Sequence, residues 1–554
     1  MPTTNATSSL PPASRPHAIA ILLCILGELT AIFFLGSVLT AGAAFAVAPV
    51  NPGQNRAHAD SLSPPSGLQS AYATFYISPA GNDSSNGHSA TAALKTFSKA
   101  FSKMMAGDEL VLMEGTYSVE TGTGIIHYLG SNSAQPPSGK TDIQRTVIRA
   151  QQPGRVTIKG ELFLGRTTRK DSYLRIQGLT FDGGGSLYNT SYVTIKDCGF
   201  HGTFGIGTND HHNGNSYNLI EDVWIWAAGQ RIIAINYRSH FNVWRRVLVR
   251  GDGCGQKKCQ GSGNPNVGIT VYDSNHVSFQ NVMVVDRVLS PGDSPYADFA
   301  VAQHTPEPRY FFGNNEWLGT ISLNSPDQGY YMEPDRNQTL DPTIKISNAI
   351  AWNSASTGFN LDREGTNILL ENLTVSAGGD GIRVAPALAN KSGRLRNSLI
   401  VRSGRYGVNS AFPSAHMAIF GAKEAFNKQQ APCEKACYQT NPRSDGHPPS
   451  LSYLPRIEPG SYLSGRGENG SAIGANVILR YGREGSYFGE ADFDILSSNP
   501  LWPWANEDRI QHEMCTETKR GLCSSTSLTQ YIWSRLGNEP NAHLYRVNNT
   551  QPQH

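Results

Sequence analysis

The 554-residue sequence predicts an all-β parallel solenoid, and two observations predict it. The first is a strand of alternating apolar residues that recurs along the middle of the chain: YLRIQGLTF, YVTIKDCGF, NLIEDVWIW, FNVWRRVLV, HVSFQNVMV, TIKISNAIA, NILLENLTV and RLRNSLIVR. The second is a shorter strand that follows most of them, often introduced by Gly: GIGTND, IIAINYR, GITVYD, FAVAQH, GYYMEPD, GFNLDRE, GIRVAP and GVNSAF. From Val193 to Leu219 is 26 residues, from Leu219 to Val243 and from Ile344 to Ile368 is 24, and from Ile368 to Leu395 is 27. A unit this short cannot bury its own inward face and must stack on copies of itself. Leucine-rich repeats lack support because their Leu/Asn consensus is missing, propeller blades need a longer period with four strands, and a sandwich would join its strands by hairpin turns.

The elements follow in order. Residues 1–48 contain the apolar run AIAILLCILGELTAIFFLGSVLTAGAAFAVA, interrupted by Glu28 and Thr30 and ending in small residues, which reads as a secretory signal cleaved near Ala44–Ala48. Its length also suits a retained membrane anchor. Residues 49–70 are a linker and 71–420 the solenoid. The solenoid opens with the strand and loop FYISPAGNDSSNG, the helix-like AALKTFSKAFSKMM and the strand AGDELVLMEGTY. This opening resembles that of secreted right-handed parallel β-helix proteins, the pectate-lyase-like superfamily. The resemblance implies a right-handed coil whose N-terminal helix caps an otherwise open sheet edge. Residues 421–470 are a loop-rich, Cys-containing segment. Residues 471–547 form a small C-terminal α/β capping subdomain with a helix over SSTSLTQYIWSRLGN, and 548–554 are a tail. Trp502 and Trp504 read as packing residues of that subdomain, the commoner role for such rings.

Charge and cysteines narrow the function. With 46 Lys+Arg against 44 Asp+Glu the chain has no field for gathering nucleic acid, and no basic run interleaves with aromatics. Cys254/Cys259, Cys433/Cys437 and Cys515/Cys523 are close enough to form three short disulfides, leaving Cys198 in an apolar strand, which agrees with a secreted, periplasmic or cell-surface location. A zinc site is the weaker reading because no His stands at ligand spacing beside them.

Stacked coils place equivalent residues in a ladder, and an outward ladder makes a groove for a linear polymer. Taking Ile206, Ile233, Ile235, Ile269, Val271, Tyr330, Met332, Phe359, Leu361, Ile382 and Val384 as inward, period two puts Asn209, Asn236, Tyr272, Tyr331, Asn360 and Arg383 outward as substrate-binding candidates. Arg238, His304, Glu333, Asp335, Asp362, Arg363 and Glu364 are the catalytic candidates. Stacked Asn and Asp can equally satisfy turns. Two chemistries suit these residues. β-Elimination from a uronic-acid glycan, the favoured reading, needs a cation to neutralise the substrate carboxylate and a base of the Lys, Arg, His or Tyr type. Glycoside hydrolysis needs two carboxylates flanking the bond. A third reading is a polysaccharide-binding or adhesion protein with a groove and no chemistry. The expected partner is a polysaccharide, with a membrane only if the leader is retained. The cofactor is open, Ca²⁺ being the candidate, and no residues are assigned to a metal. The Asp210, His211 and His212 cluster in NDHHNG reads as a solvated turn at least as readily as a site.

Overall fold

The computed structural model describes residues 72–537, apart from 128–132, 167, 208–214, 229–231, 254–264, 291–293, 303–312, 334–343, 363–367, 386–392, 430–432 and 440–450. Asn209, His304, Asp335, Arg363, Glu364 and the Cys254/Cys259 pair lie outside the described residues. So do the leader, the linker and the tail.

Thirty strands join in one parallel sheet in which each strand pairs with its equivalent one turn along the chain, the pairing of a parallel β-helix. Its turns present three faces. On the first, Thr194 pairs with Leu219 and Leu219 with Val243. On the second, Leu248 pairs with Met283, Met283 with Ile321 and Ile321 with Ile350. On the third, Val271 pairs with Val301, Val301 with Met332, Met332 with Leu361 and Leu361 with Val384. The register corrects two spacings: Leu219 stands over Thr194 rather than Val193, and Gly393 rather than Leu395 stands over Ile368.

Between the first and second faces the chain turns through a single left-handed residue. Asp197, Asp222, Arg246, Asn281, Asn348, Asn372 and Asn397 all have φ between 51° and 57° there. Asn and Asp tolerate this conformation better than other side chains because their short polar groups bond locally. Each nine-residue run therefore wraps the corner, its two halves pairing on different faces.

The helix Phe97–Lys103 begins where the Thr96 hydroxyl accepts from the Lys99 amide, and it buries Phe97, Ala100 and Phe101 in the main core. It is shorter than expected because Leu94 is held in a bridge to Ile77. At the other end, an extended C-terminal strap runs back along the corner row. Glu468 N bonds Asn397, Asn372 donates to the Ala472 carbonyl, Asn348 exchanges two bonds with Asn476, and Asn281 accepts from Tyr481 N. Beyond it, the helices Glu507–Met514 and Leu528–Arg535 cover the outer side of the second face in an apolar cluster that includes Trp224, Leu248, Met283, Ile321, Trp502, Trp504 and Trp533. Trp502 and Trp504 are buried packing residues. Disulfides join Cys433 to Cys437 and Cys515 to Cys523, and Cys198 is a buried free thiol.

One strand reverses the expected facing. In Ile232–Tyr237, Ala234 is in register with inward Phe204 and Ile269, and Asn236 with inward Ile206 and Val271, so neither Ile233 nor Ile235 takes an inward register position. Asn236 is fully buried. Its amide donates to the Ser239 carbonyl at 2.7 Å and to Ser274 Oγ at 3.1 Å, and its oxygen accepts from Asn242 at 3.2 Å. Asn236 is thus a turn-satisfying core residue and not a substrate contact.

Candidate active site

The third face carries the site. Its outward side chains form files across neighbouring turns, one through Thr270, Ala300, Tyr331, Asn360 and Arg383, another through Tyr237, Tyr272, Ala302 and Glu333. The bulky inward anchors Tyr330, Met332, Phe359, Leu361, Ile382 and Val384 hold this parity, and all are buried.

Five of the expected residues meet here. The Tyr331 hydroxyl lies 2.7 Å from Glu333 Oε1 and 2.9 Å from Asp362 Oδ2, so the two carboxylates are no further apart than those distances allow together. Arg383 Nη1 donates to Asp362 Oδ1 at 2.7 Å and to Asn360 Oδ1 at 2.8 Å. Asn360 in turn donates to Gln328 Oε1 at 2.7 Å. Glu333 is the buried member of the pair, whereas Asp362 and Arg383 are about one-third exposed and open to a ligand. Burial raises the Tyr331 phenol far above its ordinary range, and the charges of Glu333 and Asp362 raise it further, so it is a proton donor at neutral pH.

Two residues of this cluster escaped the sequence reading. Tyr296 donates to Glu333 Oε2 at 3.3 Å and packs its ring 4.5 Å from that of Tyr331. Gln328 orients Asn360. Tyr296 precedes the alternating part of its strand, so period two gave it no facing. Arg238 and Tyr272 form a second group, Tyr272 two rungs or about 10 Å from Glu333 and Arg238 one rung further along. The Arg238 guanidinium lies 5.0 Å over the Tyr237 ring and 3.6 Å from Asp273, and the Tyr237 and Tyr272 rings are 5.2 Å apart. Burial foremost, then Asp273, pushes the Tyr272 phenol up to about 12. Among the described residues no three His, Cys, Asp or Glu side chains converge as a metal site.

No family model and no curated protein matches the chain. Among solved structures it is similar to pectate lyase Pel9A at 15% identity, over 78% of this chain and 90% of that one, with a TM-score of 0.37. It is also similar to XylC, solved with xylose, at 9% identity over 66% of this chain and 86% of that one, TM-score 0.39. A rhamnogalacturonan lyase is similar at 13% identity over 77% and 97%, TM-score 0.32.

Proposed function

We propose that the chain is an exported carbohydrate-active enzyme that binds a linear polysaccharide along the third face and cleaves it at Glu333 and Asp362. The observation that supports this most is the Tyr331 hydroxyl held between the two carboxylates. Retaining glycoside hydrolysis uses carboxyl groups about 5–5.5 Å apart, and a pair whose nearest oxygens share one hydroxyl suits that short spacing better than the wider one that leaves room for an attacking water. Asp362, the more exposed and paired with Arg383, attacks the anomeric carbon while Glu333 gives a proton to the departing oxygen. Glu333 then takes a proton from the water that releases the sugar from Asp362. Tyr331 and Arg383 position both groups. The two disulfides support export, since such bonds persist in oxidising compartments.

β-Elimination is the second reading, and the neighbouring Arg238, Tyr272 and Asp273 favour it. Arg238 would neutralise a uronate carboxylate, and a Ca²⁺ ion could share that role. Its base is the difficulty, because Tyr272 holds its proton well above neutral pH, leaving His304 or Arg363 to act. Incubation with a panel of neutral and acidic polysaccharides, with and without Ca²⁺ and a chelator, separates the readings. Hydrolysis gives new reducing ends without the ultraviolet absorbance of an unsaturated uronide. Reducing ends with that absorbance would replace it by elimination, and saturable binding without products would leave an adhesion protein.

A further inference from the structure

The file of outward residues that contains Glu333 runs on toward the N-terminal turns. From Glu333 it passes through Ala302, Tyr272, Tyr237 and Gly207. Leu187 pairs with Ile206, so the member after Gly207 is Tyr188. Five rungs of a parallel sheet put Tyr188 about 24 Å from Glu333 on the same face.

Equivalent rings on neighbouring turns can close on one another. At the corner leading into the first face Tyr173, Tyr192, Tyr217 and Phe241 do so, with ring centroids 5.0–5.1 Å apart and planes within 11° of parallel. Tyr188 is different. Its equivalents on the two adjacent turns are Gly165 and Gly207, because Leu187 pairs with Leu164 on one side and Ile206 on the other. Neither position admits a side chain. A Cβ on Gly165, at φ 75°, would stand 2.4 Å from the Asn189 carbonyl oxygen, and one on Gly207 would stand 2.8 Å from Tyr237 Cβ. Among the described residues the ring beside Tyr188 is Phe163, 6.2 Å away and tilted by 46°, and Phe163 is itself backed by the Arg166 guanidinium 5.3 Å over its ring. Tyr188 is only half-buried, so the backbone leaves a fixed ring unstacked by its equivalents and in line with the carboxylate pair. Such a ring offers the apolar face of a sugar a large contact at small entropic cost.

We propose that Tyr188 is a distal subsite for the same polysaccharide, which makes the third face a groove for long chains. This rests on the third face being the glycan site. A short oligosaccharide seated at the pair falls short of Tyr188, whereas a longer chain lying along the file reaches it. Isothermal titration calorimetry of the full chain carrying Glu333→Gln, with polygalacturonate, xylan and the trisaccharide of each, tests the proposal. Saturable binding of one polymer, at least tenfold tighter than its trisaccharide, is expected. Adding Tyr188→Ala should weaken that polymer about tenfold, and adding Tyr188→Phe, which keeps the ring, should change it by no more than about twofold. Absence of saturable polymer binding, equal affinity for polymer and trisaccharide, or unchanged polymer affinity in a folded Tyr188→Ala protein would overturn the proposal. Equal weakening of polymer and trisaccharide by Tyr188→Ala would place the effect at the pair and overturn it as well. Because the readout is binding, its failure is separate from that of the cleavage assignment, which reaction rates test.

Discussion

The Tyr331 hydroxyl has one proton and two carboxylate neighbours, so its contribution is to hold Glu333 and Asp362 at a fixed separation. Tyr331→Phe removes that tie while keeping the ring contact with Tyr296. We expect turnover to fall about 10²-fold, with a change in unfolding free energy of no more than about 2 kcal/mol. Steady-state rates and denaturant titration check the two halves separately. Burial also raises the phenols of Tyr117, Tyr330, Tyr331 and Tyr531. The unfolded chain releases these protons from about pH 10, whereas the folded chain keeps them to higher pH. Their contribution to stability is therefore whole below about pH 10 and is lost as pH rises above it, so the unfolding midpoint should drop steeply in alkali and show no such step between pH 7 and 9. At this scale the sequence was readable where one residue's bulk settled its facing: Met332 between Tyr331 and Glu333, or Leu361 between Asn360 and Asp362. It failed at Asn236, where both facings carried plausible side chains. The hydrogen bonds to Ser239, Ser274 and Asn242, which no local pattern reveals, drew the amide inward.

The corner between the first two faces explains why the nine-residue runs looked like single strands. Within each run the inward residues keep a spacing of two except at the corner, where it becomes three: Ile195 to Cys198, Ile220 to Val223, Phe279 to Val282 and Ile346 to Ala349 are all buried pairs flanking the left-handed residue. That shift was present in the sequence, but the Asn and Asp at its centre stand inside runs read as single alternating strands. Their second role, bonding the strap, joins positions 71 to 200 residues apart and had no sequence signal. Asn348 shows both roles, with φ 57° and bonds to the Asn476 amide and carbonyl. Asn348→Gly keeps the conformation and loses the bonds, whereas Asn348→Ala loses both. Denaturant unfolding should rank alanine below glycine by about 1 kcal/mol; equal values would mean that the left-handed turn carries no strain.

Across the whole molecule, the recurring strands and the Cys433/Cys437 and Cys515/Cys523 pairs were legible because both are local in sequence, while the placement of the C-terminal helices over the second face was not, since Trp224, Leu248 and Met283 look like ordinary strand residues until a partner covers them. Cys198 inside the main core is shielded on every side, and burial pushes its thiol up to about 12. A thiol reagent should leave Cys198 unmodified in the native protein and label it after denaturation, as read by peptide mass mapping. The central claim is that Glu333 and Asp362 cut a glycan on the third face. Its most direct test is the initial rate of reducing-end release, on the best substrate of a polysaccharide panel, by the wild-type chain and by Glu333→Gln and Asp362→Asn. A loss of about 10²–10⁴-fold in each variant, with wild-type unfolding behaviour, is the predicted result. Cleavage by both variants at the wild-type rate would contradict it.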